Sequence, residues 1–225
     1  MQRKLTLRAV LLTVAAVALL AGCRSSGGAA KTTTSGGSAA AGAKVALGPA
    51  FGSMTGLPGV LTTAPPWPAN NDVDKLQLRL RKIGLDPLTA EGQVVHIHQH
   101  LDIYVDGNKV TLPAQIGIAS SGAFLSDLHT HDDTGVMHVE SPTASSFSLG
   151  QFFAVWGVRL DANCIGSLCA SGAKHLATWV NGSPVTGDPT RIVLAEHQEI
   201  VLAFGTSAQV PAPLPKSYDF AAAGL

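Results

Sequence analysis

The sequence has few of the features that several common functions require. It carries 15 Lys and Arg residues against 15 Asp and Glu and has no basic run, so nucleic acid is not expected as a partner. Met54 and Met137 are the only methionines after the first residue, too few for a thioether-rich copper(I) site. The sequence contains no G-x-S-x-G stretch, so a serine nucleophile is not favoured.

Cysteine is also scarce, with only three residues in the chain. Two of them, Cys164 and Cys169, lie close together, and a disulfide between them is the default interpretation in an oxidising compartment. Closing such a short loop contributes about 2 kcal/mol on the chain-entropy account. The alternative is a pair of thiolate metal ligands, which needs a reducing environment or a bound metal.

Long apolar runs are missing except near the N-terminus. Three basic residues precede an apolar run over residues 9–20, which has the length of a signal peptide and is too short to span a bilayer well. The run ends in L-A-G-C, which resembles a bacterial lipobox. The resemblance implies a signal peptide over residues 1–22, lipidation of Cys23, and a protein anchored to the cell membrane and facing outside the cytoplasm. An ordinary cleaved signal peptide with an incidental cysteine is the alternative.

Composition divides the rest of the chain into three parts. Residues 23–48 are mostly Gly, Ala, Ser, Thr and Lys with little to bury, so a flexible tether is expected. Residues 49–205 have the size and the apolar patterns of a single folded domain. Residues 206–225 contain three prolines and are expected to form an irregular tail.

The folded part shows two helical patterns and several hairpin signals. Helices are predicted over residues 72–83 and 146–158, where apolar residues recur at helical spacing. Arg79 lies off the apolar stripe of the first helix and is expected on a solvated face. Asp106-Gly107 and Asn181-Gly182 are typical of two-residue hairpin turns. Short strands with hairpins and about two helices predict an α+β domain around a mostly antiparallel sheet.

Histidine is the main chemical signal, because six of the eight histidines lie between positions 96 and 138. Residues 96–106, H-I-H-Q-H-L-D-I-Y-V-D, read as a strand that puts every histidine and carboxylate on one face, since successive side chains alternate. Such a face is not a packed core, because buried polar groups need partners. Residues 129–133, H-T-H-D-D, repeat the H-x-H spacing, and His138 follows.

Two imidazoles at this spacing are able to tilt inward and share one metal ion at about 2.0–2.1 Å each. We therefore predict metal ligands among six histidines: His98, His100, His129 and His131 first, then His96 and His138. Three carboxylates are expected beside the rings, as ligands or as acceptors of their N–H groups: Asp102, Asp133 and Glu140. Imidazole and carboxylate donors make zinc and copper the leading candidates for the metal.

The histidine-bearing stretches also resemble known families. The combination of V-H-I-H-Q-H-L-D-I-Y-V-D-G, L-H-T-H-D-D-T-G-V-M-H-V-E-S and S-L-G-Q-F-F-A-V-W-G resembles a group of uncharacterised secreted or lipid-anchored prokaryotic proteins over residues 67–205. His98-Gln99-His100 followed by Y-V-D-G is similar to the first half of a cupin metal motif, which implies an all-β barrel as the alternative fold. Residues 129–133 resemble the start of a metallo-β-lactamase motif, although Thr134 stands where that family has histidine.

Three functions remain open at this point. The first is an extracytoplasmic, lipid-anchored protein that binds zinc or copper and stores, senses or hands on the ion. The second is a metal-dependent enzyme, a hydrolase or a cupin-like oxidoreductase, in which Asp132, Asp133 or Glu140 acts as a base on a metal-bound water. The third is a partner-binding domain whose histidines form a polar or pH-sensitive face.

Overall fold

The computed structural model describes residues 44–225. The predicted signal peptide, Cys23 and most of the predicted tether therefore lie outside the described residues. Within residues 44–225, neither helix is both long enough and apolar enough to cross a membrane.

The two predicted helices are present, and each begins at a side-chain cap. Helix α1 (Val73–Lys82) starts where Asp72 accepts a hydrogen bond from the backbone N–H of Lys75 at 3.1 Å. Helix α2 (Leu149–Trp156) starts at a capping box formed by Ser148 and Gln151. Such caps supply partners for backbone N–H groups that have none inside the helix. Almost every residue of α2 is buried, so this helix forms the centre of the core.

Nine strands complete the fold of residues 44–225. Seven of them form one sheet: β1 (Val95–Val105), β2 (Asn108–Val110), β3 (Leu128–His129), β4 (Val136–Ser141), β7 (His175–Val180), β8 (Ser183–Val185) and β9 (Gln198–Gly205). A separate hairpin consists of β5 (Cys164–Ile165) and β6 (Leu168–Cys169), in which the two cysteines lie opposite each other and form a disulfide.

The strand order in the large sheet is β3-β4-β1-β9-β7-β8, and β2 pairs with the far end of β1. Every pairing is antiparallel except the one between β1 and β9, which is parallel. The prediction of an α+β fold with hairpins, two helices and a mostly antiparallel sheet is confirmed. The described sheet is open, with β3 and β8 at its two ends, so the cupin-like barrel is not the fold.

The two faces of the sheet differ sharply in polarity. One face joins the helices in a single apolar core that includes Leu101, Ile103, Met137, Ile200 and Leu202. Because side chains alternate along a strand, the histidines of β1, β3 and β4 all point to the opposite face. The core therefore holds the sheet rigid beneath a polar surface.

Arg79 corrects one expectation from the sequence. Its guanidinium group is fully buried and donates hydrogen bonds to the carbonyl oxygens of Val155, Pro58 and Asn70. It is buried rather than solvated because the chain before α1 and the end of α2 both present carbonyl groups to it. Arg79 thus ties three segments together.

The C-terminal residues lie over part of the polar face. Apart from a short 3-10 turn at Ser207–Gln209, residues 206–225 contain no helix or strand. The ring of Tyr218 stacks on His100 at a centroid distance of 4.2 Å, and the buried ring of Phe220 stacks on His197 at 4.5 Å. The tail covers the end of the histidine face that lies near β9.

Candidate metal centre

Strand β4 brings the two H-x-H stretches together. It lies between β1 and β3, and its residue His138 is opposite His98 on one side and His129 on the other. Two residues further along β4, Glu140 is opposite His96. Side chains at paired positions on one face are close neighbours, so the sheet places histidines from three strands beside one another.

A continuous group of five histidines surrounds Glu140, and we refer to these six residues as the histidine cluster: His96, His98, His129, His131, His138 and Glu140. Neighbouring ring centroids lie 4.9 Å apart for His96 and His98, 4.7 Å for His98 and His138, 4.5 Å for His131 and His138, and 4.8 Å for His129 and His131. The residues of the cluster lie on three neighbouring strands, β1, β3 and β4, and in the loop that follows β3.

Within the cluster, one group of four residues has the geometry of a metal site. His129, His131, His138 and Glu140 each offer one ligand atom, and these atoms all lie within 4.8 Å of one another. The Nε2 atoms of His129 and His131 are 3.3 Å apart. Two ligands at about 2.0–2.1 Å from a tetrahedral ion are separated by roughly 3.3–3.4 Å, so these two nitrogens already match one edge of the tetrahedron. This buried histidine and glutamate group could hold a metal ion.

A second group shares Glu140 with the first. It consists of His96, His98 and Glu140, whose ligand atoms also lie within 4.8 Å of one another. The Nε2 atom of His96 is 3.4 Å from Oε1 of Glu140. The second group could therefore also hold an ion, with three ligands rather than four.

A backbone contact orients the ring of His129. Its Nδ1 lies 3.0 Å from the carbonyl oxygen of Ser126, and a carbonyl oxygen only accepts, so Nδ1 carries the proton and donates. In the neutral ring, Nε2 then holds the free electron pair and faces His131. Hydrogen bonds of this kind are what fix the tautomer of metal-binding histidines.

Burial keeps the central rings neutral. The pKa of His129 is lowered to about 4, mainly by burial and to a smaller extent by the nearby His131, while the Ser126 contact opposes this. Burial, followed by the charges of the neighbouring histidines, lowers the pKa of His138 to about 3. Burial also lowers the pKa of His98 and raises that of Glu140. Neutral imidazole is the form that binds metal, so these rings need not lose a proton near pH 7.

Two buried atoms of the cluster lack a hydrogen-bond partner among residues 44–225. They are Nε2 of His98 and Oε2 of Glu140. Leaving a buried donor or acceptor without a partner costs about 1–3 kcal/mol. One of these atoms is on an imidazole and the other is on a carboxylate of the same cluster, so both are of the kinds that bind a metal cation.

The cluster is open to solvent at its two edges. The side chains of His96 and His131 are each more than two-fifths exposed. A cleft of about 780 Å³ lies elsewhere, lined mainly by residues 51–62 and 159–161, and it contains no residue of the cluster. His96 and His131 are therefore the potential ligands that other molecules are able to reach.

His100 lies apart from the cluster, contrary to the expectation that it would join His98, His129 and His131. Its Nδ1 is 2.8 Å from Oε2 of Glu199, and its Nε2 lies 3.0 Å from the carbonyl oxygen of Thr134, to which it donates. The parallel pairing of β1 with β9 places Glu199 directly beside His100. Burial opposes the charge on this ring, but the Glu199 contact, together with the charge of Asp102 and the Thr134 carbonyl, outweighs burial and raises the pKa of His100.

The expected aspartates lie outside the histidine cluster. Asp102 is beside His100, and with Glu199 these two residues form a third group whose ligand atoms lie within 4.8 Å of one another. Asp102 also forms an ion pair with Lys109 at 2.6 Å. Asp132 and Asp133 are exposed in the loop after β3, where Asp132 accepts a hydrogen bond from the backbone N–H of Thr134. Of the three carboxylates that the sequence placed beside the rings, Glu140 is the one that belongs to a ligand group with His129.

Two glutamates were not predicted. Glu91 lies in the loop before β1, with Oε1 3.5 Å from Nε2 of His131, and Glu199 is the partner of His100. Glu91 gives no periodic signal that would have identified it. Glu199 would have been found only by knowing that β9 pairs with β1. His175 and His197, expected at solvated positions, are exposed.

Comparison of the chain with protein-family models, curated proteins and solved structures finds no match. The chemistry of the cluster is therefore inferred from its geometry alone.

Proposed function

We propose that the protein binds a divalent transition metal ion, zinc or copper, through His129, His131, His138 and Glu140. The observation that carries the proposal is the convergence of these four ligand atoms within 4.8 Å of one another on one sheet face. Three neutral imidazoles and one carboxylate suit zinc and copper(II), whereas magnesium and calcium prefer oxygen donors. The carboxylate also neutralises one of the two charges that the ion brings.

A binding protein is favoured over a metalloenzyme. Four protein ligands complete a tetrahedral zinc site, and a catalytic site keeps one position open for water or substrate. The bases that an enzyme would require are not in place either. Asp132 and Asp133 are exposed in a loop, and Glu140 belongs to the ligand group. A purely partner-binding role for the histidines has less support, because a polar network leaves few buried atoms without partners.

Exposure of one ligand supports exchange of the ion. His131 lies in the loop after β3, and 42% of its side chain is accessible to solvent. A ligand on an exposed loop is able to leave the ion and to be replaced by a ligand from another molecule. We infer that the protein takes up or hands on its ion through this side.

The site of action is proposed from the N-terminal sequence. Residues 1–22 have the pattern of a signal peptide, and Cys23 follows in a lipobox-like context, so we propose that the protein is anchored by lipid outside the cytoplasm. The disulfide between Cys164 and Cys169 supports this, because such bonds persist in oxidising compartments.

The test is a pair of matched histidine substitutions. His131→Ala and His197→Ala each remove an exposed ring, 42% and 51% accessible, that lies beside one glutamate, but only His131 belongs to the cluster. Zinc and copper affinities are measured by competition with a coloured chelator. We expect His131→Ala to weaken binding at least tenfold and His197→Ala to leave it unchanged. Equal affinities for the two variants would refute the assignment.

A further inference from the structure

The second ligand group in the cluster is not used by the proposed four-ligand site. His96 and His98 contribute no ligand to that site, yet each has a ligand atom within 4.8 Å of one on Glu140. His98 is buried, and its Nε2 has no hydrogen-bond partner in the described part of the chain. A buried imidazole nitrogen without a partner, beside a carboxylate, points to a ligand that the four-ligand site does not explain.

Glu140 is placed to serve two ions at once. Its Oε1 lies 3.4 Å from Nε2 of His96 and 3.1 Å from Nδ1 of His138, while its Oε2 is 4.0 Å from Nε2 of His129. The carboxylate thus lies between the histidines of the two groups. A carboxylate with one oxygen on each of two ions is a common bridge, and ions in two-metal sites lie about 3.5–4 Å apart.

We propose that the cluster holds two ions bridged by Glu140, with His96 and His98 as the histidine ligands of the second. The proposal rests on the proposed function, because the first ion sets the position of the bridge. The first ion has four protein ligands. The second has two imidazoles and one carboxylate oxygen, so its remaining position is open to water or to an outside ligand.

The two ions differ in how readily they leave. The first ion has four protein ligands: His129, His138 and Glu140 are buried, and the fourth, His131, is 42% exposed. The second ion has three, of which His98 is buried and His96 is 45% exposed. An ion with fewer protein ligands is bound more weakly. The second ion is therefore expected to leave more readily than the first.

The experiment is a stoichiometric titration of the full chain with zinc, followed by elemental analysis after free metal is removed. The wild-type chain is expected to take two ions per molecule, the second at least tenfold more weakly. His96→Ala is expected to take one ion and to keep the affinity of the first. His197→Ala, which also removes an exposed ring, is expected to keep both ions and so excludes adventitious surface binding.

Copper(II) provides an independent measurement. Two copper(II) ions about 4 Å apart couple magnetically, so the electron paramagnetic resonance intensity per copper is expected to fall as the second ion enters the wild-type chain. His98→Ala, which tests the buried ligand, is expected to give an uncoupled spectrum at one copper per chain.

One ion in both the wild-type chain and His96→Ala would overturn the second site and leave the proposed function intact. Two ions in both would show that His96 is not a ligand of the second ion. Binding of no ion by any of them would overturn the proposed function itself.

Discussion

The sharpest test of the cluster compares two buried glutamates on the same face of the sheet. Glu140 belongs to both ligand groups, while Glu199 pairs with His100 outside the cluster. They are 2% and 1% exposed, so substitutions at the two positions face similar packing constraints. Glu140→Gln and Glu199→Gln each keep the shape of the side chain and remove its charge. Only the first should affect metal binding.

The size of the effect follows from linkage. Zinc at 100 times its dissociation constant stabilises the wild-type protein by about 2.7 kcal/mol, because it binds only the folded state. For a domain of this size, each kcal/mol raises the melting temperature by about 2–4 °C, so the expected shift is roughly 5–11 °C. Loss of the only anionic ligand is expected to weaken binding about 100-fold, equivalent to about 2.7 kcal/mol. The same zinc then stabilises Glu140→Gln by only about 0.4 kcal/mol, or roughly 1–2 °C.

Without metal, neither substitution is expected to lower stability. Burial and the charge of Glu91 raise the pKa of Glu140, so its charge is unfavourable in the folded protein. Burial likewise raises the pKa of Glu199, although the contact with His100 at 2.8 Å opposes this. Both variants should therefore leave the metal-free melting temperature unchanged or raise it. The response to zinc distinguishes them, because Glu140→Gln should lose it and Glu199→Gln should keep it.

The assay is thermal unfolding followed by circular dichroism, with zinc and with a chelator, for the wild-type protein and both variants. A zinc-induced shift in Glu140→Gln as large as in the wild-type protein would refute the role of Glu140 as a ligand. Loss of the zinc-induced shift in Glu199→Gln would show that the ion binds elsewhere on the polar face.

Three further predictions concern the scaffold and the anchor. Gly157→Ala is expected to lower the free energy of unfolding by about 2–4 kcal/mol, because its φ of 73° is costly for alanine and the new Cβ would lie 2.3 Å from a side-chain nitrogen. Gly84→Ala has a φ of 75° with open space, so denaturant titration should give a loss of about 1 kcal/mol. Cys164 and Cys169 should be unreactive to thiol reagents until reduced, and free thiols in protein from the secreted compartment would contradict this. Cys23→Ala should release the protein from membranes or leave its precursor uncleaved, whereas unchanged mature protein in the membrane fraction would exclude lipidation.

Local sequence patterns predicted the elements of the fold well, because each is determined by neighbouring residues. The alternation of residues 96–106 gives the two faces of β1, and the Asp106-Gly107 and Asn181-Gly182 turns give the two hairpins. Helix α1 is capped by Asp72 and α2 by Ser148, each within a predicted helical range. Such signals need no knowledge of the tertiary structure.

Pairings between distant strands could not be predicted, and they decide which histidine belongs to the cluster. His96, His98 and His100 are equivalent in the local pattern, yet parallel pairing with β9 puts Glu199 beside His100 alone. The same limitation applies to Arg79, whose carbonyl partners come from three separate segments. In both cases a polar residue finds its partner through contacts far away in sequence.

Both halves of the polar face keep buried atoms without hydrogen-bond partners in the described chain. Near β3 they are Nε2 of His98 and Oε2 of Glu140. Near β9, Oε1 of Glu199 also has none, although the other oxygen of that carboxylate lies 2.8 Å from Nδ1 of His100.

Each such atom costs about 1–3 kcal/mol, so the stability of the fold alone does not explain why these groups are buried. In the histidine cluster, one bound cation would supply the missing partner to both atoms at once. What favours metal binding there is the convergence of several imidazoles with one carboxylate, rather than the unpaired atoms alone.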